Sequence, residues 1–389
     1  MVVEFLGLAI TVFSLGIASI IAFRFKIPPL VLFLFMGMVI GAYGFLQQDT
    51  TVSFLGDLGS ALLMFAIGTE FSIHKLFSSG FFKETAIAMI EVVITFIVLF
   101  LLFSIWLSLY TAILLALAFS MTSTGISLRL LQDLNLYKKF DIPMIIKISV
   151  IEDLLTVFAF TIISSPALRS ATPLHSLAIS IGESIAMFIV AYIVFSIIFN
   201  KFMFRMNLKE EDLLMLALGI LLLMVSLSAI LGVSTAFGAY VSGSIISTWK
   251  DRWKSLDHDL KNFSYLFISF FFLTVGLSVD LSNLSWLLLL VVFPAVLISK
   301  FLGVFTGSYA LLRSSRPAFF NAISMLSRGE LSLIIVSAAV TSSLLPARYL
   351  GLTAFIVFFT VVFSFFVLNK SAEIYTYFRI RFPRIRGIS

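Results

Sequence analysis

Apolar residues run along this chain in long blocks. Each approaches the roughly 20 residues that a helix needs to cross about 30 Å of hydrocarbon. Thirteen blocks are legible, roughly at 5–23, 28–44, 56–72, 84–104, 108–131, 142–165, 176–199, 212–231, 234–248, 260–280, 285–309, 316–341 and 350–369. Residues 213–232 carry no charge at all, and the ninth block is short and Gly-rich. The first is preceded by Glu4 rather than a basic stretch. It reads as a retained span, not a cleaved signal peptide. The pattern predicts an all-α membrane protein of about 13 transmembrane helices.

Composition narrows the class. Of 389 residues, 60% are hydrophobic and 12% charged, about half the charge of a soluble domain. The blocks leave no room for a sizeable soluble domain. The net charge of +6 resembles that of a nucleic-acid binder, but basic excess in a membrane protein gathers in cytoplasmic loops. With the N-terminus outside, 21 of the 26 Lys and Arg fall on the cytoplasmic side and two, Arg169 and Arg348, outside. Three lie within blocks: Lys147, Lys300 and Arg328. The absence of Cys excludes disulfides, thiolate metal sites and Cys nucleophiles. His74, His175 and His258 fall in loops or at block ends, with no zinc or copper spacing. No phosphate loop, dinucleotide fingerprint or nucleophile–base set is present, so no cofactor and no enzymatic activity are expected.

The blocks repeat. Residues 62–72, LLMFAIGTEFS, resemble 270–281, FFFLTVGLSVDL. Gly68 and Gly276, Gly37 and Gly243, and Gly125 and Gly329 stand at offsets of 208, 206 and 204. Helices 1–6 then recur as 8–13. Seven spans separate equivalents, so the copies face opposite ways, the inverted-repeat plan of many secondary transporters. Two repeat-related blocks are interrupted: Thr122, Ser123, Thr124 and Gly125 in the fifth, and Ser327, Arg328, Gly329 and Glu330 in the twelfth. Unwound backbone at membrane depth must line a cavity or pack in protein. Two crossing broken helices are therefore expected.

The charges inside the blocks mark the chemistry. Glu152 and Asp153 stand side by side in the middle of the sixth block. Ionisable groups at that depth are costly, and functional by default. Adjacent carboxylates repel, and such a pair holds either a proton or a cation. Ser149, one turn before Asp153, shares its helix face. Lys300 is the expected counter-ion of Glu152 or Asp153, and Glu91 the expected partner of Arg328. Lys147 reads equally as a snorkelling residue or as the wall of a cytoplasmic funnel. Glu70 and Glu183 have no evident partner.

Residues 55–72, LGDLGSALLMFAIGTEFS, are similar to a signature of the monovalent cation:proton antiporter-2 family. The ninth block with residues 263–280, the polar break of the fifth, the acidic pair, Lys300 and the SRGE at 327–330 follow in family order. The resemblance covers essentially the whole chain. It implies a Na⁺/H⁺ antiporter-like fold, a homodimer and an elevator-type alternation. Dimerisation helices 1–3 (1–83) and 8–10 (212–284) would flank core helices 4–6 (84–165) and 11–13 (285–369). Helix 7 (166–211) would link them, and 370–389 would form a basic cytoplasmic tail. Asp153 takes the place of the essential ion-binding aspartate. Glu152 takes a position that is Asp in electrogenic sodium/proton members and Gln in many potassium-efflux members, so stoichiometry stays open. The RGE leans toward sodium/proton exchange, and the potassium-efflux relatives' nucleotide-binding domain is not expected here.

The expected function is a secondary antiporter of the cytoplasmic membrane exchanging Na⁺, or alternatively K⁺, for H⁺. Asp153 and Glu152 bind the cation or proton, and Thr122, Ser123, Thr124 and Ser149 complete the oxygen shell. Lys300, Arg328, Glu330 and Glu91 compensate charge. A cation channel and a sodium-coupled solute symporter are the rival readings.

Overall fold

The computed structural model describes residues 2–25, 28–43, 50–70, 81–164, 209–231, 234–248, 254–279 and 284–381, with isolated positions between 182 and 194. Most of the seventh block, including Glu183, lies outside the described residues, as do His74, His175 and the tail beyond 381. So do the side chains of Glu70 and His258.

Among the described residues all regular structure is helical. The helices are α1 (Val2–Phe25), α2 (Pro29–Ala42), α3 (Thr50–Glu70), α4 (Phe81–Ser104), α5 (Leu109–Ser120), α6 (Thr124–Asp133), α7 (Ile142–Ser164), α8 (Glu210–Ile230), α9 (Thr235–Ile246), α10 (Lys254–Leu277), α11 (Trp286–Leu312), α12 (Ser315–Ser324), α13 (Glu330–Thr341), α14 (Arg348–Asn369) and α15 (Ser371–Arg381). Among the described residues seven helical stretches are long and apolar enough to cross a membrane, and four further apolar helices are shorter. α7 carries three charged residues, Lys147, Glu152 and Asp153.

Local chemistry sets the ends. Asp141 Oδ1 accepts from Met144 N at 3.2 Å at the start of α7, satisfying one of the N–H groups that a helix start leaves over. Ser285 does the same for Leu288 N at 3.3 Å on α11. Glu210, Glu211 and Asp212 occupy the first turn of α8, where carboxylates complement the helix dipole.

The fifth and twelfth blocks are each two helices. Between α5 and α6 the chain is extended, with Met121 at φ −84, ψ 150 and Ser123 at φ −85, ψ 101. Between α12 and α13, residues 326–329 are likewise non-helical.

The chain forms two compact units, Met1–Gln48 with Ser79–Thr156 and Val275–Ser389, and Asp49–Ser78 with Val157–Thr274. α1 and α2 belong to the first and α3 to the second, so residues 1–83 are divided between them. Inside the first unit α4 and α11 pack closely. A Cβ on Gly303 would stand 2.8 Å from the Glu91 carbonyl oxygen, and one on Gly307 2.9 Å from that of Ile87. Small residues at such crossings let backbones approach. Inside the second unit α3 meets α9, where a Cβ on Gly68 would stand 3.1 Å from Gly243 Cα. Within the first unit the last residues of α10 meet α2, where a Cβ on Gly276 would stand 2.9 Å from Gly37 Cα.

Polarity runs inside out. Phe13, Ile20, Leu101, Leu223 and Leu290 are exposed, while Glu91, Glu152, Lys300 and Arg328 are wholly buried. Lipid dissolves the first set, and only paired protein groups can hold the second.

Candidate functional site

The buried charges meet at the two interruptions, all within the first unit. Lys300, on α11, reaches α4, α5 and α7 at once. Its Nζ donates to Glu152 Oε1 at 2.8 Å, to the Ser120 carbonyl at 2.7 Å and to Glu91 Oε1. An ammonium has three donors, and all three are used. The close Gly303 and Gly307 crossing brings α11 near enough to α4 for the Glu91 contact.

Glu152 is equally committed. Besides Lys300, its Oε1 accepts from the Thr122 backbone N–H, and its Oε2 accepts from Thr122 Oγ1 at 3.2 Å. Glu152 thus ties α7 to the open segment between α5 and α6. The sequence leaves Lys300 to choose between two acids; it pairs with Glu152 and adds Glu91.

Arg328 departs from expectation. Its Nη1 donates to the Met121 carbonyl at 2.5 Å and its Nη2 to the Val296 carbonyl at 3.4 Å. Glu91 is therefore the ion-pair partner of Lys300, not of Arg328. The physical reason is the broken helix: the end of α5 exposes carbonyls that need donors, and the guanidinium supplies them. Lys300 on Ser120 and Arg328 on Met121 place two cations at a helix C-terminal end, where the backbone dipole favours them.

The opposite sign appears at the other half-helix ends. Glu152 meets the backbone N–H of Thr122, just before α6. Glu330 opens α13, and its Oε2 accepts from Ser123 Oγ at 2.6 Å. Ser123 also accepts from Ile126 N at 3.3 Å, capping α6. Further bonds tie one interruption to the other. Ser123 N donates to the Ser327 carbonyl at 3.0 Å, Ser127 Oγ lies 2.8 Å from Ser327 Oγ, and Ser332 Oγ donates to the Ala118 carbonyl at 2.7 Å.

Asp153 is buried on α7 beside Glu152, and Ser149 is wholly buried one turn earlier. The hydroxyls of Ser149 and Thr124 make no hydrogen bond among the described residues. They are oxygens that the scaffold does not use.

One residue escaped the sequence reading. Glu84 Oε1 accepts from Lys147 Nζ at 3.1 Å, tying α4 to α7. Glu84 precedes Glu91 by seven residues, two turns on the same face of α4. That spacing was a signal available in the sequence.

Known proteins resemble this chain along most of its length. The family model described as "Sodium/hydrogen exchanger, transmembrane" matches residues 9–369. A Na⁺/H⁺ antiporter of Enterococcus hirae is 27% identical, the match covering 94% of this chain and 97% of that one. The K⁺/H⁺ antiporter subunit KhtU of Bacillus subtilis is 27% identical, with 92% and 91% covered. The solved structure of the sodium proton antiporter MjNhaP1 from Methanocaldococcus jannaschii shares the fold. Its TM-score is 0.72 at 18% identity, over 95% of this chain and 98% of that one. The match to the family model spans nearly the entire chain: this is a multi-pass membrane protein of the sodium/hydrogen exchanger family.

Proposed function

We propose that the protein is a secondary antiporter that exchanges a monovalent cation, Na⁺ by preference, for H⁺, with Asp153 as the group that carries either ion. The observation that carries this reading is the buried acidic pair set, with Lys300 and Arg328, at the two helix interruptions. Glu152 spends its oxygens on Lys300 and Thr122, so it acts as an internal counter-ion. Asp153, buried beside it on α7, takes the place that the family resemblance gives to the ion-binding aspartate, with Ser149 one turn earlier and Thr124 at the broken helix offering hydroxyl oxygens. Sequence alone gives both acids to the transported ion; we assign Glu152 to the frame that holds Lys300.

A proton and a cation then compete for one carboxylate, which is the least that exchange requires. Coupling follows because an empty, ionised site is costly to move through apolar surroundings. Glu91 and Glu152 together balance Lys300 and Arg328 in charge. A single exchanging carboxylate trades one proton for one monovalent cation, which favours electroneutral exchange.

The rest of the proposal is architectural. Inverted repeats 1–6 and 8–13 are supported by the glycine contacts: Gly68 on Gly243 and Gly276 on Gly37 exchange with one another under the repeat offset. A homodimer, an elevator-type movement of 84–165 and 285–369 past 1–83 and 212–284, and a cytoplasmic-membrane location with the N-terminus outside rest on the family resemblance and the basic-residue bias. K⁺ in place of Na⁺ is the second reading, favoured by the likeness to the Bacillus subtilis subunit.

The test is reconstitution into liposomes with an imposed pH gradient and a pH dye inside. Na⁺, Li⁺ and K⁺ added in turn are expected to give a saturable, cation-dependent pH response, unchanged by clamping the membrane potential. Gradient collapse without added cation would indicate a channel, and no response to any cation would end the proposal.

A further inference from the structure

A cavity of about 560 Å³ opens in the first unit where three elements end together. They are the turn after α4, with Trp106 and Leu107, the start of α11, with Leu288 and Val291, and the start of α14, with Arg348 and Leu352. The volume falls in the range of pockets that hold a small molecule. The lining is mainly apolar, and Arg348 is the one charged residue among its described members. Arg348 is also one of only two basic residues that the sequence topology places in the outer loops.

We infer that this cavity holds an acyl chain of an anionic phospholipid whose headgroup phosphate is bound by Arg348. The geometry gives three reasons. First, the surroundings face lipid: Leu287 is 75% exposed and Leu290 72% exposed. A water-soluble ligand would have to cross that surface. Second, Trp106 and Trp286 stand beside the opening, both more than half exposed, and amphipathic rings of this kind mark headgroup level. Third, the guanidinium is oriented by its neighbour. Arg348 Cζ sits 5.1 Å from the centre of the Tyr349 ring, and Nη2 donates to the Tyr349 hydroxyl at 3.3 Å. A fixed guanidinium suits phosphate recognition. The first turns of α11 and α14 add their partial positive ends. A zwitterionic headgroup would bring an ammonium toward this positive mouth, so an anionic one is favoured.

The test uses the tryptophans. The chain has four, Trp106, Trp249, Trp253 and Trp286, and Trp249→Phe with Trp253→Phe leaves the pair beside the cavity. This protein is placed in phosphatidylcholine bilayers containing a small fraction of lipid brominated on its acyl chains. Brominated phosphatidylglycerol is expected to quench fluorescence several-fold more effectively than brominated phosphatidylcholine at the same fraction. Arg348→Gln should remove that excess and Arg348→Lys retain part of it. Equal quenching by the two lipids would reduce the cavity to ordinary bilayer contact and overturn the inference. An excess that survives Arg348→Gln would overturn the headgroup assignment. Equal or stronger quenching by a brominated free fatty acid would overturn the phospholipid as occupant.

Discussion

Lys300 Nζ lies 2.8 Å from Glu152 Oε1, and neither side chain touches solvent. A buried ammonium between carboxylates is a frame: its removal leaves acids unpaired in a low-dielectric interior. Breaking a buried pair from one side costs about 3–5 kcal/mol. Lys300→Met is therefore expected to lower the thermal unfolding temperature sharply. Adding Glu91→Gln and Glu152→Gln to Lys300→Met should restore much of it. Thermal unfolding followed by size-exclusion chromatography reads both. A triple variant no better than Lys300→Met would contradict the frame.

The α4–α11 crossing depends on the absence of side chains. Gly303→Ala would press a methyl group against the Glu91 carbonyl. Overpacking of this kind costs about 1–3 kcal/mol, and it should also slow transport by displacing Lys300 from Glu91. Gly219 in α8 has no neighbour within 4 Å of where a Cβ would stand. Gly219→Ala should be neutral or stabilising by up to about 1 kcal/mol through helix propensity. Comparing the two unfolding temperatures checks the crossing.

Arg328→Lys is expected to act as a severe change. The guanidinium reaches the Met121 and Val296 carbonyls on two separate elements. A single ammonium cannot reproduce that planar fork. Transport should fall at least tenfold in proteoliposomes with the protein still folded. Near-normal exchange would show that charge alone suffices at this position.

Ser123→Ala removes a cap on α6 and the hydroxyl donated to Glu330. Loss of a helix cap costs about 0.5–2 kcal/mol. Ser123→Thr keeps the hydroxyl and should recover most of the loss. Unfolding temperatures of the two variants decide whether the hydroxyl or the size of the side chain matters.

Much of this was legible in the sequence because a membrane makes charge rare. Glu91, Glu152, Asp153, Lys300 and Arg328 stand out against apolar blocks, and the polar runs at 122–125 and 327–330 mark the interruptions. Partner choice was less legible. Glu91 joins Lys300 rather than Arg328 because the broken end of α5 offers carbonyls to the guanidinium, and no spacing in the chain encodes where those carbonyls point. Glu152 reads in the sequence as an ion ligand beside Asp153. Only the three-dimensional placement of Thr122 and Lys300 shows its oxygens occupied. Glu84 hid at the edge of a block, where a charge reads as interfacial.

The unequal roles of the two adjacent acids can be tested most directly by cation-driven proton movement in proteoliposomes carrying Asp153→Asn or Glu152→Gln, each checked for folding. Asp153→Asn is expected to abolish the cation-dependent pH response in a folded protein. Glu152→Gln is expected to keep a cation-dependent response at a reduced rate. A full response in Asp153→Asn, or complete loss in a well-folded Glu152→Gln alone, would contradict the assignment.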